Sequence, residues 1–512
     1  MSISVSAFAP RAVSKYRPLL PLLMVWGLLF YTHIYRIPRM YAASCAWDKH
    51  DVVIPADEGI EEFRVMIVAD PQLIDNHTYP GRNAAAMALS RHTVDSYLYR
   101  NFRSLSEVLK PDSVIFLGDL LDNGRSAGDE YYTTQVDRFY KIFQNYAPDH
   151  IKELIFSVPG NHDIGWADGV NLASLERFQA NFGETNAVLS HNGHDIVMLD
   201  TISLSNKKVP QIYDAPRQFL DKFAKVKKDR PRILLTHVPL FRDPKAQCGP
   251  MRESASFPIA KGYQYQTVLD KDLSDEILAK VKPDLILSGD DHDYCELYHP
   301  YKDQGVNAAA KEITVKSISM AMGINRPAVE LITLYNKPVL KEERLSPLMD
   351  EEQGPRESDD TTRKVKVLYN QYVCYLPMPY HETIFYGMFA GLNVLALFFW
   401  SLFKLRRSLK PAKTEEEKGI QRRTVISNKL SHYLSAVEEE EKRTIDDSVP
   451  PPPVRQASWI ADPAEFFGVK SLVNDTSRHQ LYKRMNLKLV CDQCFVLAVA
   501  VLGMYGVAVW FS

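Results

Sequence analysis

The chain has almost no excess of charge. Its 61 Lys and Arg stand against 63 Asp and Glu in 512 residues, a formal net charge of -2. A balance this close removes bulk attraction to nucleic acid as a first reading. No internal repeat is visible, which argues against a solenoid or propeller. Cysteine is scarce, six in all. Four of the six, Cys45, Cys248, Cys295 and Cys374, lie between the first two apolar runs, an even number that suits an oxidising compartment. Cys45 and Cys374 each lie near one of those runs, so the expected pairing is 45–374 and 248–295.

Long apolar runs are present three times, at residues 18–35, 384–403 and 494–511, and none of them contains Asp, Glu, Lys or Arg. Each is long enough as a helix to cross a hydrocarbon core of about 30 Å. For the first run the alternative is a cleaved signal peptide, with AASCA (42–46) as its small-residue site. The basic stretches KLRRSLK (404–410) and YKRMNLK (482–488) flank the second and third runs and place 404–493 in the cytosol. The N-terminus (1–17) is then cytosolic and 37–383 faces the lumen or exterior. On that side Asn76-His77-Thr78 is a glycosylation sequon, whereas Asn474-Asp475-Thr476 would go unused. The final VWFS is neither a KDEL-type nor a dilysine signal and leaves the organelle open.

Between the first two runs, short Ile/Val/Leu-rich stretches alternate with helical patterns. FRVMIVAD (63–70), SVIFLGD (113–119), ELIFSVPG (153–160), DIVMLD (195–200), RILLTHVP (232–239), DLILSGD (284–290), EITVKSISM (312–320) and AVELITLY (328–335) read as buried strands. Residues 85–110 and 172–182 read as amphipathic helices. The expected class is α/β, a two-sheet β-sandwich flanked by helices and joined to three transmembrane helices, with the domain at 56–340. Residues 341–383 read as a linker back to the membrane. The loop 404–493, with TEEEK, VEEEEKR and VPPPPVR, reads as largely disordered.

Polar residues gather at the carboxyl end of each strand unit: Asp70-Pro71-Gln72, Gly118-Asp119 through Asp122 to Arg125, Gly160-Asn161-His162-Asp163, Thr236-His237, and Gly289-Asp290-Asp291-His292. Ligands of open α/β sheets bind beyond the strand carboxyl ends, so these five motifs are expected to converge. A lone Asp after a strand is more often a turn or cap; five in series are not. Carboxylate, carboxamide and imidazole without thiolate suit hard or borderline divalent ions, and there are enough groups for two ions.

The GDLLDNGR, GNHD, THVP and GDDH blocks resemble those of the calcineurin-like metallophosphoesterases over roughly 63–295. ADPQ and SGDDHDYC, with the flanking apolar runs, resemble the branch that removes ethanolamine phosphate from the glycan of GPI anchors, including its fungal cell-division-control type. The resemblance implies that Asp70, Asp119 and His292 hold one ion, with Gln72 beside them. Asp119 would bridge to a second ion completed by Asn161, His237 and Asp290. It further implies that His162 protonates the departing alkoxide after in-line attack at phosphorus, and that Asp122 and Arg125 support it or meet phosphate. Two departures stand out: Gln72 replaces the usual histidine of the first block, and Asp290 the first histidine of the last. Both exchanges bring oxygen in place of imidazole and favour Mn²⁺ over Zn²⁺. The expected partner is a GPI lipid or GPI-anchored protein in the endoplasmic reticulum or Golgi, with no nucleic acid. Another lumenal phosphatase or pyrophosphatase is the alternative enzyme, and a non-catalytic receptor for GPI-anchored cargo the alternative class. His191 and His194 read as flanking a turn, His299 as hydrogen-bonded or on the surface, and Tyr294 with the Tyr263–Tyr265 pair as packing or the wall of a sugar cleft. Asp291 and Asp293 read as supporting or surface acids. Cys491 and Cys494 read as packing or acylation sites.

Overall fold

In the computed structural model the described residues are 16–50, 52, 59–145, 148–254, 257, 259–262, 264–303, 305–344, 362–408, 424–432, 434–435 and 487–510. They divide into two compact units, one of Leu28–Thr383 with Tyr505–Ser512, the other of Met1–Gly27 with Ile384–Met504. The larger unit carries the sheets.

Its strands are β1 (Glu62–Val68), β2 (Ser113–Phe116), β3 (Glu153–Ile155), β4 (Ala187–His191), β5 (His194–Met198), β6 (Arg232–Leu235), β7 (Lys261–Gly262), β8 (Tyr265–Gln266), β9 (Leu285–Ser288), β10 (Cys295–Asp303), β11 (Val306–Thr314), β12 (Ala328–Arg344) and β13 (Thr362–Tyr375). One sheet runs β13-β12-β1-β2-β3 and the other β10-β11-β9-β6-β5-β4, with β7 and β8 as a separate hairpin. The strands that end in polar motifs pair in parallel: β1 with β2, β2 with β3, and β6 with β9. Their carboxyl ends therefore share one edge of each sheet.

Alternation along the strands builds the layers. Val65 and Ile67 of β1 meet Ile115, Ile233, Leu235, Leu285 and Leu287 between the sheets. Met66 and Val68 point the other way, into a core shared with the helices. Those helices are α1 (Ala84–Leu109), α2 (Asp129–Phe143), α3 (Leu172–Phe182), α4 (Pro210–Phe223) and α5 (Lys271–Val281). Asn83 caps α1 by accepting from Ala86 N at 2.8 Å, and left-handed Lys110 ends it. Phe102, Phe116, Phe139, Phe143 and Phe156 pack as an aromatic cluster over β2, with centroid separations such as 4.9 Å for Phe139–Phe143.

The expected helices form, and the expected strands are present with shifted bounds, β11 ending at Thr314 and β12 running on past 335. The structure corrects the linker. β12 runs on to Arg344, and β13 pairs with it along its length, so much of 341–383 belongs to the sheet; residues 345–361 lie outside the described residues. Both expected disulfides are formed, Cys45–Cys374 and Cys248–Cys295. Three helices are long and apolar enough to cross a membrane: Leu19–Ser44, His381–Lys404 and Leu487–Ala508. They exceed the expected runs at their polar ends. Within the smaller unit Trp26 packs edge-on to Phe389 at 5.0 Å. The acidic and proline-rich runs of the loop, and Asn474, lie outside the described residues, while 424–432 are helical.

Candidate metal centre

The five motifs meet. Ligand atoms of Asp70, Asp119 and His292 lie within 4.8 Å of one another, and so do those of Asp119, His237 and Asp290. Asp119 belongs to both groups, as a bridging ligand must. Five of the residues assigned to the centre, Asp70, Gln72, Asp119, Asp290 and His292, have positive φ between 34° and 67°. Such backbone costs a non-glycine residue on the order of 1 kcal/mol or more and persists where surrounding structure holds it, often at functional sites. Glycines make the approach possible. A Cβ on Gly160 would stand 2.0 Å from Asp119 Oδ1, and one on Gly118, at φ +94°, would stand 2.7 Å from His237 Nδ1.

Several of the side chains are aimed by hydrogen bonds. His237 Nδ1 lies 2.7 Å from the Leu117 carbonyl, so Nδ1 carries a hydrogen and Nε2 is the nitrogen turned toward the carboxylates. That Nε2 has no hydrogen-bond partner and sits 3.5 Å from both Asp119 Oδ1 and Asp290 Oδ1. Asp119 Oδ1 accepts from the His162 backbone N–H at 2.8 Å, and Asp70 Oδ1 from that of Asp290 at 3.1 Å. Asn161 donates its Nδ2 to the Gln264 carbonyl at 3.0 Å, which leaves a buried Oδ1 without a partner. Asp70 Oδ2 and Gln72 Oε1 are likewise buried and unpartnered. Polar atoms so placed are rare in a folded core unless something else binds them.

The electrostatics agree. Burial pushes the Asp70 carboxyl well above the usual range. Burial also acts on Asp119, but the imidazoles of His237 and His162 outweigh it and hold this carboxyl low. Burial works to lower His237; Asp119, Asp290 and Asp70 overcome it and raise the imidazole well above its ordinary range. His292 is lowered by burial, which favours the neutral ring with a lone pair to offer. Three clustered carboxylates surrounding an imidazole call for further positive charge. The oxygen and nitrogen donors, the orphaned atoms and the shared aspartate fit a pair of divalent cations.

His162 stands beside the ligands. Its Nδ1 is 2.6 Å from the Asp122 carbonyl and therefore carries a hydrogen, while Gln72 Nε2 stands 3.3 Å from both ring nitrogens. Gln72 Nε2 and Thr78 Oγ1 donate to the two oxygens of Asp122, at 2.8 and 2.7 Å. Thr78, from the sequon, thus braces the residue behind His162. Of the two roles expected for Arg125, support or phosphate contact, its hydrogen bonds fit support: Nη1 meets the backbone carbonyls of Asn161 at 3.1 Å and Gln264 at 3.5 Å, bracing the Asn161–His162 turn.

Sequence reasoning missed two supports. Gln264, in the β7–β8 turn at φ 62°, orients Asn161 across 103 positions of chain, and no local pattern announces it. Asp163 accepts from the N–H groups of Gly160, Leu120 and Leu121 at 2.8, 3.2 and 3.0 Å, tying two motifs together. It is the last residue of the GNHD block, and its role shows only in these backbone contacts. Among the other residues, His191 and His194 pair across the Asn192-Gly193 turn, and His299 is buried against Glu312 at 2.5 Å. Tyr294 is buried and bonds Glu296 at 2.8 Å, a packing role. Tyr265 is exposed, and Tyr263 lies outside the described residues.

Residues 63–294 match the family described as calcineurin-like phosphoesterase. Over 366 residues the chain is 43% identical to Cell division control protein 1 of Saccharomyces cerevisiae, covering 71% of this chain and 70% of that one. It is 27% identical over 316 residues to Metallophosphoesterase 1 of Ailuropoda melanoleuca, covering 57% of this chain and 72% of that protein. A Metallophosphoesterase 1 homolog of Caenorhabditis elegans is 27% identical over 246 residues, 48% of this chain and 64% of its own.

Proposed function

The chain belongs to the calcineurin-like phosphoesterase family as a metal-dependent phosphoester hydrolase, and from that premise we propose that it is a membrane-anchored phosphodiesterase removing ethanolamine phosphate from a mannose of the GPI-anchor glycan. The observation that carries the diesterase chemistry is the double ligand group sharing Asp119. Asp70, Asp119 and His292 would hold one ion, with Gln72 Oε1 at hand. Asp119, Asn161, His237 and Asp290 would hold the other. When bound, the two divalent ions supply Lewis acidity that neutralises phosphoryl oxygens and activates water. Oxygen at Gln72 and Asp290 favours Mn²⁺ as the metal.

The chain's own residues do the rest. His162 is held by Nδ1 on the Asp122 carbonyl, so Nε2 is the atom that delivers a proton to the leaving alkoxide. Gln72 and Thr78 fix Asp122 behind it. An alkyl diester has a poorly leaving alkoxide, and a positioned proton lowers that barrier more than it would for an activated ester.

A lipid-borne substrate is supported by the candidate spans at both ends of the sheet-bearing region. A lumenal placement is supported by the two disulfides of that region, while the free Cys491 and Cys494 lie outside it. The organelle proposed is the endoplasmic reticulum or Golgi. Mass spectrometry of GPI glycans from cells carrying Asp119→Ala or His162→Ala tests the reading. Ethanolamine-phosphate-bearing glycans are expected to accumulate; unchanged content would sink the substrate assignment. Orientation is checked by endoglycosidase sensitivity at Asn76 and protease access to 404–493 in sealed microsomes.

A further inference from the structure

The turn after β9 supplies one ligand to each metal group, Asp290 to one and His292 to the other. Both have left-handed backbone, φ 67° and 66°. The acids that follow them in sequence, Asp291 and Asp293, face away from the centre and each meets a buried cation.

Arg252 takes both oxygens of Asp291, with Nη1 on Oδ2 and Nη2 on Oδ1 at 3.3 Å, and Nη1 also reaches the Tyr294 carbonyl at 3.3 Å. Lys316 Nζ lies 2.6 Å from Asp293 Oδ1 and 2.9 Å from Glu253 Oε1. The backbone N–H groups of Glu253 and Ser254 donate to Asp293 Oδ2 at 2.9 and 2.8 Å. The Cys248–Cys295 disulfide closes the same two segments a few residues further on. Side chains of Arg252 and Asp291 are 5% and 3% exposed, and those of Lys316 and Asp293 are 0% and 2%. Pairs this dry and doubly bonded hold geometry in a way that surface pairs do not.

We propose that the Arg252–Asp291 and Lys316–Asp293 pairs are positioning contacts for both metal sites, holding the strained turn that aims Asp290 and His292. Arg252 and Lys316 bond to none of the assigned ligands; they act through the turn. The inference rests on the metal-centre reading above. Because one turn feeds both groups, loosening it weakens both ions together, whereas loss of Asn161 touches one.

The test is calorimetric titration of Mn²⁺ into the metal-stripped full-length protein in detergent, for wild type, Asp291→Asn, and the double variant Arg252→Met with Asp291→Asn. The double variant leaves no buried charge unpaired and keeps the test available if the single one fails to fold. Loss of such outer contacts costs about tenfold to a hundredfold in metal affinity, and that loss is expected at both sites. Turnover at saturating Mn²⁺ should stay within about threefold of wild type, and Arg252→Lys should recover part of the affinity. Folded variants with wild-type affinity, or with weakening confined to one site, would overturn the proposal. Wild-type protein that takes up no Mn²⁺ would overturn the metal-centre reading itself, a separate outcome.

Discussion

His162→Asn separates proton delivery from mere positioning. An asparagine amide can stand where Nδ1–H stands and still donate to the Asp122 carbonyl, now 2.6 Å away, but it has nothing at the place of Nε2. The variant therefore keeps the anchor and removes the proton donor. The ring is anchored by that carbonyl, Gln72 Nε2 stands 3.3 Å from both ring nitrogens, and 27% of the side chain is exposed, so Nε2 is reachable by substrate. A positioned general acid contributes about a hundredfold to ten-thousandfold, on the order of 3–5 kcal/mol of barrier. That full loss is expected in kcat/KM on an alkyl phosphodiester. A p-nitrophenyl diester leaves as a stabilised phenolate and needs little protonation, so its loss should stay near tenfold or less. The assay is paired steady-state kinetics at saturating Mn²⁺ on the two diesters. Equal losses on both would refute proton delivery and leave His162 as a group that orients Asp119 and its neighbours.

Asp290→His restores an imidazole at the softer position; the ratio of Zn²⁺ to Mn²⁺ affinity, measured by competition titration, is expected to rise at least about tenfold. Removing the Cys45–Cys374 bridge, which closes 329 positions of chain, by Cys45→Ser should cost about 2–5 kcal/mol, read as a lower midpoint in thermal melting of the detergent-solubilised protein. Phe139 is fully buried among five other rings, and Phe139→Ala is expected to cost about 3–5 kcal/mol, read from the denaturant midpoint.

Much of the fold was legible because its signals are local. The buried parallel strands are short apolar runs, and α3 spans Leu172–Phe182, as its periodicity requires. The main misreading, 341–383 as a linker, came from charge. In β13 the sequence TRKVKVLYNQYVCY alternates Lys364, Lys366 with Val365, Val367, as an edge strand wet on one face should. Averaging charge over the stretch hid that period of two. The five assigned ligands that are Asp or His fall within the two clusters, and Gln72 and Asn161 each add a buried, unpartnered oxygen.

What the sequence alone determined is the inventory and its order: which strand ends carry oxygen and nitrogen donors, where the apolar spans lie, and which cysteines are available to pair. Tertiary structure decided which atom of each donor is free. Asn161 offers Oδ1 because a carbonyl 103 residues away takes its amide, His237 offers Nε2 because Leu117 takes Nδ1, and Arg125 is claimed by backbone. Asp290 and Asp291 are identical letters, yet one faces the centre and the other Arg252. Orientation depends on hydrogen-bond partners that are near in space and distant in sequence, and a local pattern does not encode them.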